Sequence, residues 1–69
     1  MTDSEIKEAF LSAVDFHRAG KEQEAEALYR HVLEQNPRHV AAMTLLATIH
    51  AQRREFEEAA RLLDVSLEL

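Results

Sequence analysis

The sequence predicts an all-α fold, and three observations carry that reading. Ala, Leu, Glu, Arg and Gln dominate the 69 residues, and all five are strong helix formers. Apolar residues recur at three- and four-residue steps in four successive stretches, which is the period of a helix stripe. Between those stretches stand residues that stop helices or form polar turns: Gly20, Asn36-Pro37 and Arg53-Arg54-Glu55. Neither the Val/Ile/Thr runs nor the Asn-Gly type pairs that strands and hairpins require are present. A chain of this length holds one small domain, spanning residues 1–69.

The first helix is expected to open near Thr2 or Asp3. Thr2 with Glu5 three residues on fits a capping box, where each side chain satisfies a free backbone N–H of the other residue. Ile6, Ala9, Phe10, Ala13, Val14 and Phe16 form its apolar stripe, and Gly20 ends it by accepting the left-handed conformation common after helices. A second helix is expected from about Glu22 to Gln35, with Ala25, Leu28, Tyr29, Val32 and Leu33 on one side. Pro37 stops it, because proline disfavours helical geometry in the preceding residue. The third is expected from about Arg38 to Gln52 with Pro37 at its start, and the fourth from Phe56 to the end. Helices joined by turns this short lie antiparallel to their neighbours.

Shifting the chain by 34 residues lays the first helix on the third and the second on the fourth. Leu11 falls on Leu45, Ala13 on Ala47, Glu24 on Glu58, Ala25 on Ala59, Leu28 on Leu62, Leu33 on Leu67 and Glu34 on Glu68. The small Ala residues recur where helices must approach closely. In the first unit the pattern reads Ala9, Ser12-Ala13, Phe16, Ala25, Tyr29, Val32 and Pro37; in the second, Met43, Leu46-Ala47, His50, Ala59, Leu63 and Ser66. On these residues the chain resembles the tetratricopeptide repeat family, whose unit is a 34-residue helix–turn–helix. The resemblance covers about Ile6 to Leu69. It implies two repeats, about 6–39 and 40–69, forming a right-handed α-solenoid fragment. Ala9 and Ser12 stand where the family places a large aromatic and a Leu, and His50 stands in place of an aromatic.

Charge and composition exclude several function classes. The formal charge is -5, from 13 acidic and 8 basic residues, and no basic patch exists beyond Arg53-Arg54. No nucleic acid is therefore expected as partner. No membrane is expected either, since the longest apolar runs are far too short to span one. The acidic start Met1-Thr2-Asp3-Ser4-Glu5 does not read as a signal peptide. With no Cys there is no disulfide, zinc-thiolate or thiol chemistry, and a cytoplasmic location is expected. His17, His31, His39 and His50 are the only acid–base or metal candidates, and none has the helical His/Glu spacing of a zinc site. The paired carboxylates form i,i+4 ion pairs, Glu26–Arg30 and Glu57–Arg61, on a solvated face. No enzyme, metal or cofactor is expected.

The resemblance implies a protein-interaction scaffold. In the family the first helix of each unit lines a concave groove that receives a protein or peptide. Carried onto this chain, Lys7, Phe10, Val14, His17 and Arg18 would line it from the first helix. Ala41, Thr44, Thr48, Ala51 and Gln52 would line it from the third. Phe10, Val14 and Leu45 replace polar residues that some members use to clamp a C-terminal carboxylate, so that mode is not expected. Phe10 and Val14 could equally complete the core. The resemblance further implies a bacterial-type module preceding a longer protein, such as a docking region before a glycosyltransferase or sulfotransferase domain. The fourth helix carries Phe56, Ala60, Leu63 and Leu67 at i, i+4, i+7, i+11, a continuous apolar ridge with no helix left to cover it. A contiguous patch of this kind marks an interface, so a homo-oligomer through the C-terminal helix is expected.

Overall fold

Four helices form where the periodicity places them, in a computed structural model that describes residues 2–68. They are α1 (Asp3–Arg18), α2 (Glu22–Gln35), α3 (Val40–Gln52) and α4 (Phe56–Glu68). The capping box closes the start of α1: the Glu5 amide donates to Thr2 Oγ1 at 3.2 Å, and the Thr2 amide donates to Glu5 Oε1 at 3.3 Å. The third helix starts two residues later than expected, at Val40. Asn36 to His39 close a turn instead, with the His39 amide donating to the Asn36 carbonyl at 3.1 Å. His39 then caps α3, its Nδ1 accepting from the Ala42 amide at 3.1 Å.

Both hairpins turn by the same device. The Gly20 and Lys21 amides donate back to the His17 and Phe16 carbonyls, the latter at 2.9 Å, and Gly20 sits at φ +79°. Thirty-four residues on, the Arg54 and Glu55 amides donate back to Ala51 and His50, with Arg54 at φ +63°. This double bonding closes a helix C-terminus around one left-handed residue. Gly20 takes that conformation freely, while Arg54 carries a Cβ penalty of roughly 1 kcal/mol. The expected glycine-free turn therefore copies the glycine turn of the first repeat.

Each helix packs on the next: α1 on α2, α2 on α3, and α3 on α4. Helix α3 carries no Asp, Glu, Lys or Arg, and six of its residues are buried: Ala42, Met43, Leu46, Ala47, Ile49 and His50. It is apolar nearly all round because it is held from two sides. Helix α1 buries only Ala13 completely, while its Ile6, Ala9, Phe10, Val14 and Phe16 lie half-buried against the core of Ala25, Tyr29, Val32, Ala42, Leu46 and Ile49. At an outer helix one face has only one neighbour to cover it, and that leaves α1 with side chains free to meet something else.

Candidate partner-binding groove

Helices α1 and α3 flank a groove floored by Tyr29 of α2. Val14, His17 and Arg18 of α1, Tyr29, and Leu45 of α3 enclose a recess of about 320 Å³. Toward the start of α1, Asp3, Ile6, Lys7 and Phe10 face Asn36 and His39 across a second recess of about 280 Å³. A row of rings builds the floor. His39 lies over Phe10 at 4.8 Å between centroids, Phe10 lies 6.0 Å from Tyr29, and His17 meets Tyr29 edge-on at 6.1 Å. Such offset and edge-on arrangements are the favoured ones for aromatic pairs. His17 Nδ1 and Tyr29 Oη share a hydrogen bond at 3.3 Å, which satisfies the phenol where it is otherwise buried. That burial pushes the Tyr29 hydroxyl above its ordinary pKa.

All five α1 residues singled out from the sequence line this groove, Lys7 and Phe10 in one recess and Val14, His17 and Arg18 in the other. Phe10 and Val14 do both things considered for them, packing half-buried on the core while lining a recess. On α3 the placement differs. Thr48 and Gln52 are exposed and line neither recess, while Thr44 sits beside α4 with its Oγ1 3.4 Å from Ser66 Oγ. The Thr44 and Thr48 hydroxyls donate to the Val40 and Thr44 carbonyls of their own helix. Leu45 makes the contribution of α3 instead. Its place one residue along from Thr44 turns it toward α1.

A polar cluster ties the two repeats together. Glu26 does not lie on a solvated face: its carboxylate accepts from Arg53 Nη1 at 2.6 Å and from Arg30 Nη2 at 3.0 Å, with only a fifth of the side chain exposed. Arg53 also approaches Glu22 at 3.5 Å. His50 is 4% exposed, with Nδ1 2.9 Å from Glu55 Oε1 and Nε2 3.2 Å from Arg30 Nη2. A guanidinium can only donate, so Nε2 accepts and Nδ1–H donates to Glu55. Arg61 pairs with Glu58 at 2.8 Å rather than with Glu57. His31 and Glu34 are both exposed. Among the described residues no three of His, Asp and Glu gather as a metal ion would require.

The Arg53 guanidinium, followed by Arg30, holds the Glu26 carboxyl below its ordinary value of 4.5. A carboxyl whose pKa is lower in the folded state adds stability that is complete above the unfolded value and lost as pH falls toward the folded one. Glu26→Gln is therefore expected to lower the melting midpoint at pH 7 by roughly 4–8 °C, about 1 kcal/mol in a chain this small. Melts across pH should show the gap shrinking as pH drops below about 4.5. A gap independent of pH would show that the Glu26–Arg53 pair is not its source.

A family model described as tetratricopeptide repeat matches residues 16–68, more than half of the chain. The chain belongs to the tetratricopeptide repeat family. The match begins at Phe16 and so includes the end of α1, all of α2 and the whole α3–α4 hairpin. No solved structure matches the chain at a significant level. Tetratricopeptide repeats are helical scaffolds that mediate protein–protein interaction and have no catalytic apparatus of their own. Among the described residues no helix is long and apolar enough to cross a membrane.

Proposed function

We propose that the module holds a peptide or partner surface in the α1/α3 groove, with Phe10 and Val14 as the anchors. The observation behind this reading is the row of rings from His39 to His17, with Phe10, His17 and His39 half-buried around a fully buried Tyr29 and flanked by two recesses. Aromatic anchors in apolar recesses carry most interface energy, whereas rim charges contribute little. Peptides selected on the chain from a random display library provide the test. Phe10→Ala should weaken the selected binders at least tenfold, while Lys7→Ala and Arg18→Ala change affinity less than threefold. The reverse ranking would make the site electrostatic or move it elsewhere.

A second reading, self-association, is favoured by the ridge on α4. Phe56 is 63% exposed, Leu63 43% and Leu67 84%, with exposed Ala60 between them. Leu67→Glu, outside the core, should then give a folded monomer. Light scattering that finds the unmodified chain monomeric at ~100 μM, where contacts of 1–10 μM affinity are saturated, would dispose of this reading.

A further inference from the structure

The groove and the ridge carry opposite charge at matching intervals. On α1, exposed Lys7 and Arg18 stand eleven residues apart, with exposed Leu11 and half-buried Val14 between them at i+4 and i+7. On α4, Glu57 and Glu68 also stand eleven residues apart, with Asp64 between them, on the stripe beside the Phe56–Ala60–Leu63–Leu67 ridge. Eleven residues of helix rise about 16 Å on either element. Among the described residues, none of these five charged side chains has an ion-pair partner within its own chain. Arg61, on the same α4 stripe, is held by Glu58 at 2.8 Å.

We propose that the occupant of the α1/α3 groove in self-association is helix α4 of a second copy. The ridge lies on Phe10, Val14 and Leu45, and Glu57 and Glu68 reach Lys7 and Arg18. This rests on the self-association reading and specifies its geometry. Helix α4 is packed on α3 in its own chain, so the occupant comes from another molecule. Pairing α4 with α4 of another copy covers the same ridge, but it sets two stripes of unpaired acids side by side in a chain of charge -5. The groove offers apolar surface with a cation toward each end; Asp3, at the outer end of the Lys7 recess, is the one acid lining either recess, and α3 adds none. Like charges brought together at an interface oppose association, and complementary ones select register. The contact joins two different surfaces, so it does not close on itself as a two-fold pair does, and assembly continues beyond the dimer. A peptide that fills the groove dissolves the assembly.

Two charge-reversed variants test this, each altered only at exposed positions: Lys7→Glu/Arg18→Glu, which spoils the groove, and Glu57→Lys/Glu68→Lys, which spoils the helix. Light scattering at ~100 μM, the loading at which micromolar contacts are saturated, is expected to find each variant monomeric on its own. An equimolar mixture sets opposite charges against each other at both contacts, native groove with native helix and reversed groove with reversed helix, so its mass should grow with concentration past the dimer. The unmodified chain should do the same. Recovery in the mixture also shows that both variants are folded. If Lys7→Glu/Arg18→Glu associates as the unmodified chain does, the ridge pairs with itself and the proposal is overturned. A mixture that stays monomeric beside an associating unmodified chain overturns it as well. An unmodified chain that is itself monomeric removes the self-association reading along with it.

Discussion

Tyr29→Ala is expected to cost about 3–5 kcal/mol, the range for deleting a large buried ring. A chain of this length has only about 3–10 kcal/mol of stability in total, so the variant should lose roughly a third or more of it and melt more than about 10 °C below the parent. Tyr29 is 0% exposed and is the largest fully buried side chain. Its ring supports Phe10 and His17, and its oxygen bonds to His17. Deleting it opens a cavity where α1, α2 and α3 meet, and in a repeat array each unit is held only by its neighbours. Tyr29→Phe keeps the ring and loses only the hydrogen bond, so it should cost about 1 kcal/mol. Far-UV circular dichroism melts compare the three proteins. A cooperative Tyr29→Ala melt within a few degrees of the parent would mean that α1 is not held through this ring.

Enlarging the small residues at the helix crossings is the second large effect. Ala25 and Ala59 stand one repeat apart, 0% and 5% exposed, each on the second helix of its hairpin. Ala25 shares a buried cluster with Ala13 of α1, and close approach there leaves no room for three more carbons. Ala25→Leu and Ala59→Leu should each lower stability by about 1–3 kcal/mol through overpacking. Exposed Ala27 of α2, outside both the groove and the ridge, is the control, and Ala27→Leu should leave the midpoint nearly unchanged. Unchanged midpoints for both Ala25→Leu and Ala59→Leu would contradict the 34-residue register.

The helices were legible because their signals are local. The Thr2–Glu5 box, the stop at Asn36-Pro37 and the stripes of α1 and α2 each depend on residues within one or two turns. Local reading failed where a longer-range partner decides the outcome. Nothing near Glu26 in sequence reveals Arg53, twenty-seven residues on, whose bond to Glu26 replaces solvent on that carboxylate. The α3 start moved because His39 could cap the helix, and histidine is not among the usual capping residues. Arg54 adopts a left-handed conformation against its own preference because the two backbone bonds closing α3 require it. In the groove, the α1 side was readable from the stripe alone. The α3 side turns on whether Thr44 or Leu45 faces α1; the two differ by one residue, and the packing of α3 against both α2 and α4 makes that choice.

If the α1/α3 groove is where this module meets its partner, a bound peptide must perturb the residues that line it. A ¹H–¹⁵N titration of the labelled chain with a display-selected peptide tests it most directly. Shifts should concentrate on Phe10, Val14, His17, Arg18 and Leu45, which line the groove. Shifts confined to α2 or to the outer face of α4, with these five unmoved, would contradict it.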